Sequence, residues 1–160
     1  MESRARSPLW CAAIGAFSGA RTTLGPLLVC ERVLDEDVAP GAVPARWLQS
    51  ARVATMIGVL AIVEMVVDKL PFIPERTHPI ALVPRIASGA LAGAALSSVD
   101  RTKRRDVIVG AVLGATGAIA GAFVAVHVRR WLARGLPDVV AGIGEDAMLV
   151  ALSRTVLARM

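Results

Sequence analysis

Four long apolar stretches, separated by short runs dense in charge or proline, constrain this chain more than any other feature. They lie at about residues 8–30, 53–69, 80–99 and 107–128. At about 1.5 Å of rise per residue, the first, third and fourth can cross a hydrocarbon core of about 30 Å as helices, and the second needs its flanks. The expected fold is therefore all-α: a polytopic integral membrane helical bundle of about four transmembrane helices, forming a single membrane domain over residues 1–160. Composition agrees. Hydrophobic residues make up 55% of the chain before its 14 glycines are counted, whereas soluble domains reach only about 45–50% with glycine included. That excess argues against an ordinary cytosolic enzyme.

The tryptophans mark the same boundaries, because indole prefers the headgroup level. Trp10 opens the first stretch, Trp47 precedes the second and Trp131 follows the fourth. Residues 35–44, acidic and broken by Pro40 and Pro44, read as an exposed loop. Residues 70–84 carry prolines at 71, 74, 79 and 84, which forbid one continuous helix, and residues 100–106 form a short charged hairpin. The final residues, 136–160, hold Asp138, Glu145, Asp146 and Arg154 among apolar neighbours. They predict a fifth helix, either buried in the bundle or lying in the interface. A signal peptide is an alternative for the N-terminus, since Arg4 and Arg6 precede an apolar run and Ser18-Gly19-Ala20 offers small residues. Against it, the apolar run resumes beyond Arg21.

The surplus of 18 Lys plus Arg over 13 Asp plus Glu marks loops flanking spans. It has no accompanying basic helix face or aromatic platform, so the expected partner is the lipid bilayer and not nucleic acid. Cys11 and Cys30 cannot build a disulfide framework, and His78 and His127 have no partners at metal-ligand spacing, so neither a metal nor a cofactor is expected.

Four full spans divide the positive residues evenly. Arg4, Arg6, Lys69, Arg76, Arg129, Arg130 and Arg134 fall on one side, and Arg32, Arg46, Arg52, Arg101, Lys103, Arg104 and Arg105 on the other. The positive-inside rule then gives no orientation. A re-entrant fourth stretch would make the division ten against four, and a first stretch broken near Gly19 and turned back would make it nine against five. Such irregular backbone at membrane depth must be buried in protein or line a cavity. Cys11 and Cys30 distinguish these cases: one straight helix separates them by about 28 Å, and a hairpin brings them to the same side.

Glycines recur four residues apart at Gly15 and Gly19, Gly89 and Gly93, Gly110 and Gly114, and Gly117 and Gly121. Helix association in lipid depends on close backbone approach, which small residues at this spacing permit. They predict tight packing within the bundle or a homo-oligomer, and the likeness of the Gly15 and Gly89 regions hints at an internal repeat.

Charges inside or beside the spans need a partner or an aqueous cavity. Arg21 sits near the middle of the first stretch. Glu64 and Asp68, at i and i+4, share a helix face. Asp68 and Lys69 close the second stretch, Arg85 opens the third, and Glu145 and Asp146 form a late acidic pair. These residues read either as a polar site, with carboxylates binding a cation or relaying protons and arginines holding an anion, or as structural charges. In the structural reading Asp68, Lys69 and Arg85 snorkel to the headgroups and Arg21 pairs with Glu64.

Gly19-Ala20-Arg21, Glu64-x-x-x-Asp68-Lys69-x-Pro71, Arg76, Arg85 followed by Gly89-Ala90-x-x-Gly93-Ala94, and Glu145-Asp146 together resemble the bacterial membrane-protein family catalogued as domain of unknown function 4126. The resemblance spans nearly the whole chain, and its most specific part is the glutamate, the Asp-Lys-x-Pro and the following arginine. It implies a small multi-pass protein of the bacterial cytoplasmic (inner) membrane and brings no biochemical activity. The arginine-rich loop at 101–105 departs from that pattern.

Two function classes remain: a small transporter or channel-like protein of unidentified substrate or ion, in which charges of both signs sit beside broken helices, and a non-catalytic membrane scaffold or assembly protein. An enzyme is not expected, since Ser18, Ser88 and Ser97 have no nearby histidine in the sequence.

Overall fold

Long apolar runs bounded by proline or charge become helices here. The computed structural model describes residues 8–34, 36–67, 78–99, 103–135 and 138–159, and all regular structure among them is helical. In chain order the helices are α1 (Pro8–Ala20), α2 (Leu24–Val33), α3 (Val43–Leu48), α4 (Ala51–Val67), α5 (Pro79–Ser98), α6 (Arg104–Leu132) and α7 (Asp138–Arg159). Pro79 at the first position of α5 has no N–H to leave unpaired, and the preceding His78 side chain accepts from the Ile80 N–H at 3.4 Å. α6 runs for 29 residues without proline. By length and composition α5 and α6 can each cross a membrane, and they coincide with two of the four expected spans, 80–99 and 107–128; α1 is apolar but shorter.

α1, α5 and α6 meet along glycine. A Cβ added at Gly15 would strike the Gly114 carbonyl, and one at Gly19 the Ala118 carbonyl. Cβ atoms at Gly117 and Gly121 would strike the carbonyls of Ala12 and Ala16. Residue numbers rise together across this seam, so α1 and α6 run parallel. On the other side, Gly89 lies against Gly114 and Gly93 against Gly110, an antiparallel register. Gly114 is thus wedged between two helices at once. All eight glycines of the four pairs lie in these seams, at backbone separations that a side chain would forbid.

The first apolar stretch is not one helix. It breaks at Arg21-Thr22-Thr23, and α2 returns along α1. Gly25 marks the return: a Cβ there would collide with the Ser18 hydroxyl and lie 2.9 Å from the Ile14 carbonyl oxygen. A straight helix would hold residues 14 and 25 about 16 Å apart. Cys11 and Cys30 accordingly belong to one buried cluster with Val33, Leu48, Ala95 and Val99. Pro26 favours the break, because proline costs a hydrogen bond inside a helix and none in its first turn, where α2 places it.

The intervening loop also differs from its reading as exposed. Val38 and Ala42 are buried in that same cluster, and Pro44 lies in the first turn of the short α3, whose Ala45 N–H donates to Ser98 Oγ at 3.3 Å. Elsewhere the bundle is apolar outward. α4 has no buried residue, and Met56, Val59, Leu60, Ile62 and Val66 on it are more than half exposed. The second stretch extends to residues 68 and 69, which lie outside the described residues, as does most of the proline-rich segment before Pro79. The C-terminal stretch forms α7, whose Glu145, Asp146 and Ser153 are buried.

Candidate functional site at the helix break

Breaking a helix inside a bundle exposes carbonyls at one new end and N–H groups at the other. At the end of α1, Arg85 Nη1 of α5 donates to the carbonyls of Gly19, at 3.3 Å, and Ala20, at 3.1 Å. At the start of α2, the Glu64 carboxylate of α4 accepts from the Thr22 N–H at 2.7 Å, the Thr23 N–H at 3.0 Å and the Thr23 hydroxyl at 2.7 Å. A cation at a helix C-terminus and an anion at an N-terminus both oppose the end charges of the helix dipoles. The two side chains also approach each other, with Arg85 Nη1 3.7 Å from Glu64 Oε1. Ser88 donates its hydroxyl to the Thr22 carbonyl. The break is therefore closed by protein groups on both faces.

Arg21, at the break itself, turns the other way. Its guanidinium forms a buried ion pair and hydrogen bond with Asp146 of α7. The structural pairing of Arg21 with Glu64 read from the sequence is replaced by two separate pairs, Arg21–Asp146 and Arg85–Glu64. The reason is positional: Glu64 occupies the backbone N–H groups of Thr22 and Thr23 on one side of the turn, and α7 covers the other. Arg85, a snorkelling end charge in the structural reading and a member of the polar site in the other, is 5% exposed. Glu145, beside Asp146, is buried and lines an apolar cleft between α1, α6 and α7.

Of the eight candidate polar residues, the fold gathers Arg21, Glu64, Arg85, Glu145 and Asp146 around or beside the break; Asp68, Lys69 and Arg76 lie outside the described residues. Arg154, two turns beyond the acidic pair, reaches Glu31 of α2 at 3.7 Å with most of its side chain exposed. Thr22, Thr23 and Ser88 were not among the candidates, although Thr-Thr followed by Leu-Gly-Pro is a helix-start signal. Among the described residues, no three His, Cys, Asp or Glu side chains are grouped to hold a metal ion.

No curated protein and no solved structure matches the chain. Its match is to a sequence family, over residues 9–158 and thus over nearly the whole length. The chain belongs to the family described as Domain of unknown function (DUF4126).

Proposed function

We propose that this chain is a multi-pass protein of the bacterial inner membrane, transporter- or channel-like in class, whose working site is the charged break between α1 and α2. The membrane reading draws on the two helices of spanning length and on the apolar exterior of α4, α5 and α6. So large an exposed apolar surface is unusual for a soluble monomer. In this reading α1 and α2 form a re-entrant hairpin, and α4, α5, α6 and α7 cross the bilayer.

That topology favours an orientation. Arg32, Arg46, Arg52, Lys103, Arg104, Arg105, Arg154 and Arg159 lie toward the end where α2 finishes and α6 begins; Arg129, Arg130 and Arg134 lie toward the other. Among the described residues, eight positive side chains against three favour the first end as the cytoplasmic one by the positive-inside rule.

The observation that carries the transport reading is the discontinuous helix, with charged side chains of both signs held at its two ends. Half-helix ends at membrane depth are where transporters bind ions and charged substrates. A scaffold is the second reading, favoured by the mutual pairing of Arg21 with Asp146 and of Arg85 with Glu64. Flux of protons and monovalent cations through protein reconstituted in liposomes separates the two. Transport requires flux in the native chain that Arg21→Ala and Glu64→Gln abolish at unchanged protein level. A scaffold gives no flux, loses protein in the single variants, and recovers it when Arg21→Asp is combined with Asp146→Arg.

A further inference from the structure

We propose that the cleft between α1, α6 and α7 seats one acyl chain of an anionic phospholipid, with the headgroup held at the end where α6 finishes. This seat rests on the membrane placement proposed above and needs no transport. The cleft has a volume of about 270 Å³, at the low end of the roughly 300–1,000 Å³ of ligand pockets. It follows α6 from Ala120 to Val128, about 12 Å of helix, close to one leaflet's half of a hydrocarbon core of roughly 30 Å. Val124, Met148 and Leu152 in its wall are 61%, 46% and 44% exposed, so it opens sideways onto the apolar exterior of the bundle. Its one charged lining residue, Glu145, is 3% exposed, so a guest meets hydrocarbon.

The end of the groove says what the rest of the guest must be. Residues 124, 128 and 131 share a face of α6, and Trp131, one turn past the last lining residue, is 69% exposed. An exposed indole prefers the headgroup level, so the groove stops where the polar part of a lipid begins. The charge at that end has the complementary sign. The two connections there, residues 68–78 and 129–138, hold Lys69, Arg76, Arg129, Arg130 and Arg134 against Asp68, Glu75 and Asp138, with every Asp, Glu, Lys and Arg of both counted. From residue 107 to 137 the chain contains no acidic residue, so the three arginines follow the groove with no carboxylate in their own stretch of sequence. Basic residues at the headgroup level attract anionic lipids and give a zwitterionic one no such advantage. The groove thus selects a hydrocarbon chain, and the residues beyond it select the phosphate headgroup that carries a net negative charge.

Native mass spectrometry of the full chain, released from micelles holding equal amounts of phosphatidylglycerol and phosphatidylcholine with the same acyl chains, tests this. One phosphatidylglycerol retained per chain is expected, at about ten times the occupancy of phosphatidylcholine. Ala120→Phe fills the groove from an exposed position on α6 and is expected to lower that occupancy about tenfold. Arg129→Gln combined with Arg134→Gln is expected to bring the two lipids close to parity. Absence of retained lipid on the native chain, equal retention of the two lipids, unchanged occupancy in Ala120→Phe, selectivity that survives the double arginine variant, or a dimer that holds no lipid each overturns the site. If Ala120→Phe yields no folded protein, the native ratio and the double arginine variant decide. Recovery of the native chain from the soluble fraction rejects the membrane placement and this site with it; a membrane-extracted chain that retains no phosphatidylglycerol rejects this site alone.

Discussion

The trio α1, α5 and α6 and the flanking pair α4 and α7 are held by different physics. The trio is joined by shape: glycine lies on glycine or alanine, carbonyl oxygens occupy the space a Cβ would need, and few polar side chains take part. The flanking helices add buried charge to apolar contacts such as those of Val53, Ala54 and Ile57 on α4. α4 contributes Glu64 to the start of α2, and α7 contributes Asp146 to Arg21. Close backbone contact has no tolerance for added volume, whereas a charged tether depends on one partner not being left alone in a medium that cannot solvate it. The two regions should therefore fail in different ways.

The largest effect is expected at Gly114, which abuts Gly15 on one side and Gly89 on the other. Gly114→Leu must push α6 away from both neighbours, and recovery of folded protein from membranes should fall to near zero. Retention of native thermal stability would show that the seams are not what holds the trio. Next comes Arg85→Ala, which strips the carbonyls of Gly19 and Ala20 of a donor and leaves Glu64 without its arginine. Breaking one partner of a buried pair costs about 3–5 kcal/mol, so a clear drop in unfolding temperature in detergent is expected. Restoration by Arg85→Lys would show that charge alone suffices, without the guanidinium geometry. The smallest effect belongs to Gly58 on α4, where an added Cβ meets nothing within 4 Å. Gly58→Ala should leave stability unchanged or raise it by roughly 0.5–1 kcal/mol, the helix penalty of glycine. A loss there as large as at Gly114 would mean that α4 is packed against a surface outside this chain.

Much of the trio was legible in the sequence, because spacing alone identifies which glycines share a helix face. Pairing was not: nothing local says that Gly114 serves two seams while Gly117 and Gly121 serve one. Arg21 stood out because its charge interrupts an apolar run, and the acidic pair at 145 and 146 stood out in the same way. That Asp146, 125 residues away, is the partner of Arg21 follows from α7 running back along the bundle, a tertiary fact. The break itself was signalled by Thr22-Thr23-Leu24-Gly25-Pro26, yet the same residues fit inside a continuous apolar window when only hydropathy is weighed. Hydropathy responds to side chains, and the break is decided by backbone groups that Glu64 and Arg85 satisfy from elsewhere in the chain.

The returning hairpin underlies both the charged junction and the proposed orientation, and a distance measurement tests it most directly. Leu9 and Leu34 are both exposed, near the start of α1 and just past the end of α2. With Cys11→Ala and Cys30→Ala removing the native thiols, spin labels on Leu9→Cys and Leu34→Cys report their separation by pulsed electron paramagnetic resonance in liposomes. The folded-back pair predicts a separation below about 20 Å, as for labels on adjacent packed helices. A distribution centred near 37 Å, the length of about 25 residues of straight helix, would contradict the account.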